Sequence, residues 1–220
     1  SKLISKGYRV AIGEQVEDPK AAKGIVKREV IRIVTPGTNI NPQALDESKN
    51  NYLMGIVHTT NAYGISTVDV TTGDFYVTEV DSDRKLLDEI TKFNPSEIIC
   101  NHTFLVSGVD IDDLKNRLQI TLSDLDSWYF DDDGCVKSLK EHFDVSSLDG
   151  LGLKDYTIGV VAAGAVLQYL YETQKNSLTH LTKITPYITS KYMILDSSTR
   201  RNLELVETLR EKQKRGSLLW

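Results

Sequence analysis

Two aspartates in the stretch VDVTTGDF are the residues whose spacing first suggests metal-dependent chemistry. A metal-dependent nuclease needs several converging carboxylates that hold two metal ions about 3.5–4 Å apart. Asp69 and Asp74 also suit a plainer role, because the hydroxyl-bearing residues and the glycine between them are typical of a turn. The predicted strand before them, 52–58, carries no carboxylate and ends at His58. We therefore expect no catalytic residue, with a divalent-metal nuclease as the alternative.

The histidines and cysteines show no spacing typical of a metal or redox site. They are His58, His102, His142, His180, Cys100 and Cys135. The first ten residues contain no apolar leader segment, and the longest apolar run, 158–167, has about half the length that a membrane span needs. These observations predict a cytoplasmic protein with two reduced thiols, no metal and no membrane contact.

Two arginines on the run REVIRIV are the candidates for contact with DNA. Arg28 and Arg32 are four residues apart, which on a regular strand places them on one face, about 13 Å from each other at roughly 3.3 Å per residue. That separation would suit two phosphates along one groove. The alternative is a pair of solvent-facing arginines without a ligand, since surface arginine is common.

An acidic segment with three consecutive aromatic residues, DLDSWYFDDDG, is the candidate for contact with a partner protein. Trp128, Tyr129 and Phe130 lie between aspartates, and exposed aromatic side chains often anchor protein interfaces. The alternative is that these rings close the hydrophobic core of their own domain.

The distribution of charge divides the chain into three parts. Residues 1–38 hold eight Lys/Arg and four Asp/Glu, residues 39–184 hold eleven and 23, and residues 185–220 hold seven and four. The net charges are therefore +4, −12 and +3. An acidic middle repels polyanionic DNA and favours contact with protein, whereas the basic ends tolerate DNA.

The elements that would position these residues follow from hydrophobic periodicity. Alternation predicts a hairpin of two strands, 8–16 and 25–35. The stretch 36–51 is rich in Pro, Gly, Asn and Asp and predicts a linker, which we place at 39–51. Strands at 52–58, 63–70 and 75–80 are joined by turns so short that they must be antiparallel. The elements expected next are a helix at 83–93, a strand at 96–100, a helix at 110–118, a strand at 119–122, and helices at 135–143, 155–175 and 197–214. The prediction is an α/β fold, a ribonuclease H-like mixed sheet with flanking helices, between a β-hairpin remnant and a helical remnant.

The segments GYRVAIGEQVEDP, REVIRIVTPGT, VDVTTGDF, LQYLYETQ, LDSSTRRNLEL and GSLLW resemble, in this order, the MutS family of bacterial DNA mismatch-recognition proteins. The resemblance spans the whole chain. It implies an internal fragment: 1–38 as the tail of the mismatch-binding domain, 39–51 as a linker, 52–178 as the ribonuclease H-like connector domain, and 179–220 as the start of the core or lever domain.

The resemblance also implies partners and chemistry. Members of the family bind mismatched double-stranded DNA as homodimers, use ATP and magnesium, and recruit the protein MutL, for which the connector offers a docking surface. The family's mismatch wedge, Phe-x-Glu, and its phosphate-binding loop, G-x-x-x-x-G-K-[ST], do not occur in these 220 residues. We therefore expect no ATPase activity and no cofactor in this chain. Since the strand of Arg32 belongs to the DNA-facing domain of the family, the resemblance favours that residue for DNA contact.

Overall fold

The computed structural model describes residues 2–17, 25–41, 50–175, 178–189, 195, 197–211 and 213–219. Its strands are β1 (Val10–Gln15), β2 (Arg28–Val34), β3 (Tyr52–His58), β4 (Tyr63–Asp69), β5 (Phe75–Val80), β6 (Glu97–Cys100), β7 (Thr121–Asp124) and β8 (Thr185–Pro186). Its helices are α1 (Asp83–Phe93), α2 (His102–Leu105), α3 (Ile111–Asn116), α4 (Asp132–Phe143), α5 (Thr157–Gln174) and α6 (Ser197–Asn202). None of the helices in this described part is long and apolar enough to cross a membrane.

Strands β1 and β2 form an antiparallel hairpin with one β-bulge. Arg28 pairs with Gln15, but Arg32 pairs with Ile12, because the register shifts by one residue between Ile12 and Gly13. Such a shift leaves one residue of the longer strand, here Ile31, without a partner of its own and bends the ribbon. The bulge therefore changes which side chains share a face of the hairpin.

The second sheet has six strands in the order β7-β6-β3-β4-β5-β8. β3, β4 and β5 are consecutive antiparallel neighbours, β6 is parallel to β3, and β7 is parallel to β6. Short turns allow the antiparallel part, whereas α1 supplies the crossover that a parallel neighbour requires. The predicted α/β class, with a mixed sheet and flanking helices, is confirmed.

Helices cover both faces of this sheet, so it has a hydrophobic core on each side. On one face Leu53 and Phe75 pack with α4 and α5. On the other face Met54 and Ile65 pack with α1, α2 and α3. Successive side chains of a strand point to opposite faces, and the alternation of Leu53 and Met54 follows from that rule.

Helix α5 is apolar around most of its circumference because it lies against the sheet and α4 at once. Small residues permit this close approach. A Cβ atom built on Gly164 would lie 2.3 Å from Cys135 Cβ and 2.5 Å from Cys135 Cα, which belong to α4. Cys135 is fully buried there, and burial, together with the nearby Asp132 and Asp131, raises the pKa of its thiol to about 12.

Several predicted elements have different bounds in the structure, and for three of them the structure shows where the difference arises. The helix expected at 197–214 ends at Asn202, and Glu204 has a left-handed backbone with φ of 48°. The helix expected at 135–143 begins at Asp132, because Asp131 caps it by accepting a hydrogen bond from Gly134 N. The strand expected at 119–122 lies at 121–124, because Gln119 has a left-handed backbone that ends the preceding turn. Of the predicted linker 39–51, residues 42–49 lie outside the described residues.

Candidate functional site

The fully buried side chain of Glu97 joins the hairpin to the six-stranded sheet. Its Oε2 accepts hydrogen bonds from Thr35 Oγ1 at 2.5 Å and from Gly37 N at 3.0 Å. Its Oε1 accepts from Tyr169 OH at 2.7 Å and from Ser123 Oγ at 3.3 Å. The carboxylate at the start of β6 therefore holds the end of the hairpin, helix α5 and strand β7 together. We call these five residues the Glu97 joint.

The segment Thr35-Pro36-Gly37-Thr38 is shaped to present its donors to Glu97. Thr35 is extended, as expected before proline, and a 3-10 turn follows at Pro36–Thr38. Thr35 N donates to Thr38 Oγ1 at 3.0 Å, and the two hydroxyl oxygens are 2.8 Å apart. Since the single hydroxyl proton of Thr35 goes to Glu97, Thr38 must donate to Thr35. The hydroxyls thus form a directed chain that ends at the carboxylate.

Helix α5 closes the joint from the other side. Tyr169 is fully buried, and burial, followed by the charge of Glu97, raises the pKa of its phenol, so that it stays protonated and donates. The guanidinium of Arg9, at the base of the hairpin, lies over the Tyr169 ring at 5.5 Å from its centroid. Gln174 Nε2 donates to Thr38 O at 3.4 Å. Residues beside both strands of the hairpin, Arg9 before β1 and Thr38 after β2, thus contact the same helix.

Asn51 fastens the other side of the turn. Its Nδ2 donates to Pro36 O at 2.9 Å and to Asn39 O at 3.1 Å, and its Oδ1 accepts from Ser96 Oγ at 2.6 Å. Its backbone N–H donates to Asp69 Oδ2 at 3.1 Å. The connection between the hairpin and the sheet is therefore hydrogen-bonded on both sides.

Replacing Gly37 by alanine is expected to push the turn away from the sheet. A Cβ atom there would lie 2.9 Å from Glu97 Cβ and 3.0 Å from Leu53 Cβ, and neither atom can move without its strand. Overpacking of this kind costs about 1–3 kcal/mol. Urea unfolding of Gly37→Ala measures the loss, with Gly150→Ala as the control because a Cβ on Gly150 meets nothing within 4 Å. Equal midpoints for the two variants would contradict the tight contact.

The two predicted DNA-contacting arginines do not share a face. Their partners on β1, Gln15 and Ile12, are three residues apart, and residues three apart on a regular strand point to opposite sides. The prediction of one shared face is therefore wrong, because the bulge inverts the alternation between Arg28 and Arg32. Arg28 is exposed. The role of both arginines in DNA contact stays a prediction.

Arg32 contributes to the connection between the hairpin and the sheet. Its Nη2 donates to Thr38 O at 3.2 Å, and its Nε is buried with no hydrogen-bond partner among the described residues. Burial lowers the pKa of this guanidinium. The Arg32 side chain thus binds the same turn that donates hydrogen bonds to Glu97.

The three aromatic residues predicted to contact a partner lie in three different environments. Trp128 is 56% exposed, Tyr129 is buried in the core, and Phe130 is half-buried against that core. The ring of Trp128 stacks on that of Tyr129 with centroids 3.7 Å apart. Four exposed aspartates lie nearby: Asp131, Asp132 and Asp133 line the same depression as Trp128, and Asp126 lies two residues before it. Asp131 caps α4, and Asp132 and Asp133 lie in its first turn, where carboxylates offset the helix dipole. We call Trp128 and these four aspartates the acidic patch.

Both side-chain oxygens of Asp69, the carboxylate considered for metal binding, accept hydrogen bonds from the protein. Its Oδ1 accepts from Thr71 N at 2.8 Å and from Thr71 Oγ1 at 2.6 Å, and its Oδ2 accepts from Asn51 N. Asp74 accepts from the hydroxyl of Thr72. Within the described residues, no group of three or more His, Cys, Asp and Glu side chains is placed to hold a metal ion.

Comparison with known proteins gives a consistent result along the whole chain. The sequence model of the family described as MutS domain II matches residues 51–182, and that of MutS domain I matches residues 1–43. The protein named DNA mismatch repair protein MutS from Lachnoclostridium phytofermentans is 72% identical over 220 residues, which are 100% of this chain and 24% of that relative. Its namesakes from Ruminiclostridium cellulolyticum and Acetivibrio thermocellus are 48% and 47% identical over the whole chain, each over 25% of their length. The chain therefore spans about a quarter of the length of these relatives.

Proposed function

This chain belongs to the MutS family of DNA mismatch repair proteins, and on that premise we propose that residues 52–178 act as its connector. In this proposal the unit carries no catalysis. It relays the state of a mismatch-binding domain, to which residues 1–38 belong, to the partner protein MutL. The nucleotide chemistry, with ATP and magnesium, belongs to other parts of a longer, homodimeric and cytoplasmic protein that binds mismatched DNA.

The observation that carries the proposal is the Glu97 joint. A relay needs a connection that transmits a displacement instead of absorbing it, and a buried carboxylate with four hydrogen-bond donors is such a connection. Because a donor separated from this carboxylate would be left buried without a partner, small rotations of the hairpin against the sheet are costly. Motion of the hairpin would therefore move the sheet and α5 with it.

A continuous series of aromatic contacts leads from the joint to the acidic patch. Arg9 lies over Tyr169, whose ring centroid is 6.5 Å from that of Tyr129, on which Trp128 stacks. Tightly packed side chains of this kind transmit displacements because the interior has little free volume. We infer that the orientation of the hairpin is coupled through these rings to the exposed face of Trp128.

The acidic patch is the proposed docking surface for MutL. It combines one exposed tryptophan with carboxylates, and it therefore suits a partner surface that offers basic side chains around an apolar depression. The net charge of −12 over residues 39–184 supports a protein partner for this unit in preference to DNA. Contact with DNA is assigned instead to the hairpin, at Arg28 and Arg32.

We also assign the sheet to the ribonuclease H-like class, with three antiparallel strands followed by two parallel ones as the support. The alternative function, a metal-dependent nuclease of that class, has no support from Asp69, whose oxygens are hydrogen-bonded within its turn and to Asn51. Incubation of the chain with duplex and with an RNA–DNA hybrid, with magnesium or manganese, tests this alternative. Cleavage that is abolished by a chelator would revive it.

The proposal is tested by titrating this 220-residue chain with the ATPase domain of a cognate MutL. A mismatched duplex at physiological salt serves as the comparison ligand. Saturable binding of MutL with little response to the duplex is the expected result. Salt-sensitive binding of the duplex without binding of MutL would overturn the docking role and shift the function to the hairpin.

Replacing Trp128 by serine is expected to weaken MutL binding at least about tenfold. Tryptophans at the centre of an interface often contribute more than about 2 kcal/mol. The matched control is Val106→Ser, which also removes an exposed apolar side chain, 70% exposed, at the end of α2. Isothermal titration calorimetry measures both. Equal affinities of the two variants for MutL would place the docking surface elsewhere.

A further inference from the structure

The N-terminal segment and the sheet enclose a basic cleft that the proposed function does not use. Its volume is about 860 Å³, and it lies between residues 2–7 on one side and the ends of α1, α3 and β7 on the other. Three lysines line it: Lys2 and Lys6 from the N-terminal segment, and Lys115 from α3. None of its described lining residues carries a carboxylate, although the chain holds 31 Asp and Glu residues.

Two of these lysines are available to an added anion. No carboxylate of a described residue lies within 4 Å of the ammonium group of Lys6 or of Lys115. Other cations of the molecule, such as Lys85 and Arg117, are paired with aspartates. Both available lysines are exposed, so they can reorient towards a ligand. A concave surface lined by one sign of charge concentrates the field and attracts counter-ions.

Neutral hydrogen-bond donors complete the lining. Asn94 and Gln119 are exposed at the rim, where both have left-handed backbones with φ of 46° and 56°. Asn39 lines the cleft from the side of the hairpin. Ammonium and amide groups together are donors that suit phosphate oxygens, which accept several hydrogen bonds at once.

We propose that this cleft binds phosphate groups, with Lys6 and Lys115 as the charged contacts from its two sides. A phosphate held between them would join the N-terminal segment to the sheet immediately beside the Glu97 joint, since Pro36, Asn51 and Ser96 line the same cleft. The phosphate can come from a free polyphosphate or from the backbone of DNA. The inference rests on the charge and shape of the cleft and does not depend on binding of MutL.

The test titrates the 220-residue chain with pyrophosphate, and separately with a short duplex, by calorimetry at low and at physiological salt. The variants are Lys6→Gln with Lys115→Gln, singly and together, and the control is Lys154→Gln. Lys154 is also exposed but lies outside the cleft, so the control makes the same change in charge. We expect pyrophosphate to bind, the double variant to lose at least about tenfold in affinity, and the control to lose none.

The two ligands identify the source of the phosphate. One outcome is that the duplex binds as well, with a slope of log K against log salt concentration that is smaller by about two in the double variant. In that case the phosphates are those of DNA. If the lysine substitutions weaken pyrophosphate alone, the ligand is a free polyphosphate. Binding of neither ligand, or equal losses in the double variant and in Lys154→Gln, would overturn the proposal. Unfolding midpoints of all variants verify that the fold is unchanged, which the exposure of these lysines leads us to expect.

Discussion

Replacing Glu97 by alanine is expected to lower the free energy of unfolding by about 3 kcal/mol or more and to release the hairpin from the sheet. The substitution leaves the N–H of Gly37 and the hydroxyls of Thr35 and Tyr169 buried without the acceptor that they now share. Each unsatisfied buried donor costs about 1–3 kcal/mol. Urea unfolding measures the total, and amide hydrogen exchange measures where it is lost. We expect faster exchange in β2 and slow exchange in β3.

Two further variants test whether the loss of stability in Glu97→Ala comes from hydrogen bonding. Glu97→Gln keeps one acceptor oxygen and should fall between the wild type and Glu97→Ala. Tyr169→Phe removes one donor while keeping the ring. If Glu97 and Tyr169 interact as their 2.7 Å contact indicates, the double variant will lose less than the sum of the single losses. An alanine variant that unfolds at the wild-type urea concentration would contradict this account of the joint.

Replacing Gly164 by alanine is expected to destabilise the protein by about 3 kcal/mol, against the usual direction of this change in a helix. In a helix interior, alanine normally stabilises by about 1 kcal/mol relative to glycine. Here the added methyl group would lie 2.3 Å from Cys135 Cβ, and that atom is fixed to the backbone of α4. The two helices would have to separate, which opens the core around them.

The measurement is the urea midpoint of Gly164→Ala, compared with that of Gly150→Ala in an open 3-10 turn. The sign of the difference is the informative quantity, because helix propensity and packing predict opposite signs. A Gly164→Ala variant more stable than the wild type would mean that α4 and α5 are not held at this distance in solution.

The sequence alone was sufficient for the part of the fold that is locally determined. The predicted bounds of β3, β5 and α1 agree with the structure. A continuous apolar run, as in β3, is typical of a strand buried on both faces, and helical periodicity, as in α1, is typical of a helix buried on one face. The prediction of a helix that reaches residue 214 was wrong, because its apolar residues are not buried. Leu203, Val206 and Leu209 form its apolar stripe but are 46–51% exposed, so no packing energy favours a longer helix.

The Glu97 joint was not predicted, since its residues are far apart in the sequence. Thr35 and Glu97 are separated by 62 positions, and Tyr169 follows 72 positions after Glu97. One signal was available in the sequence. A glutamate begins the apolar run EIIC, and a glutamate is rarely buried in a strand unless it has hydrogen-bonding partners. Its donors became identifiable only when the topology brought the turn at Pro36 onto β6.

The predicted contact residues illustrate a different limit. A pattern assigns a side chain to a face only while the alternation is uninterrupted, and the bulge at Ile31 interrupts it between Arg28 and Arg32. The sequence allowed two interpretations of the aromatic residues 128–130, contact with a partner or burial in the core of their own domain. The structure places them in different environments. Tyr129 closes the core, and Trp128 remains exposed.

The two buried thiols give each side of the molecule its own chemical reporter. Cys135 belongs to α4 and packs against α5, whereas Cys100 ends β6, in the core on the opposite face of the sheet. Burial, together with the charge of Asp124, raises the pKa of Cys100 to about 12, as burial does for Cys135. Only the thiolate reacts with alkylating reagents, so neither cysteine is labelled while its region is closed. The rates at which Cys135 and Cys100 are modified therefore report separately on local opening at the two faces of the sheet, without any engineered probe.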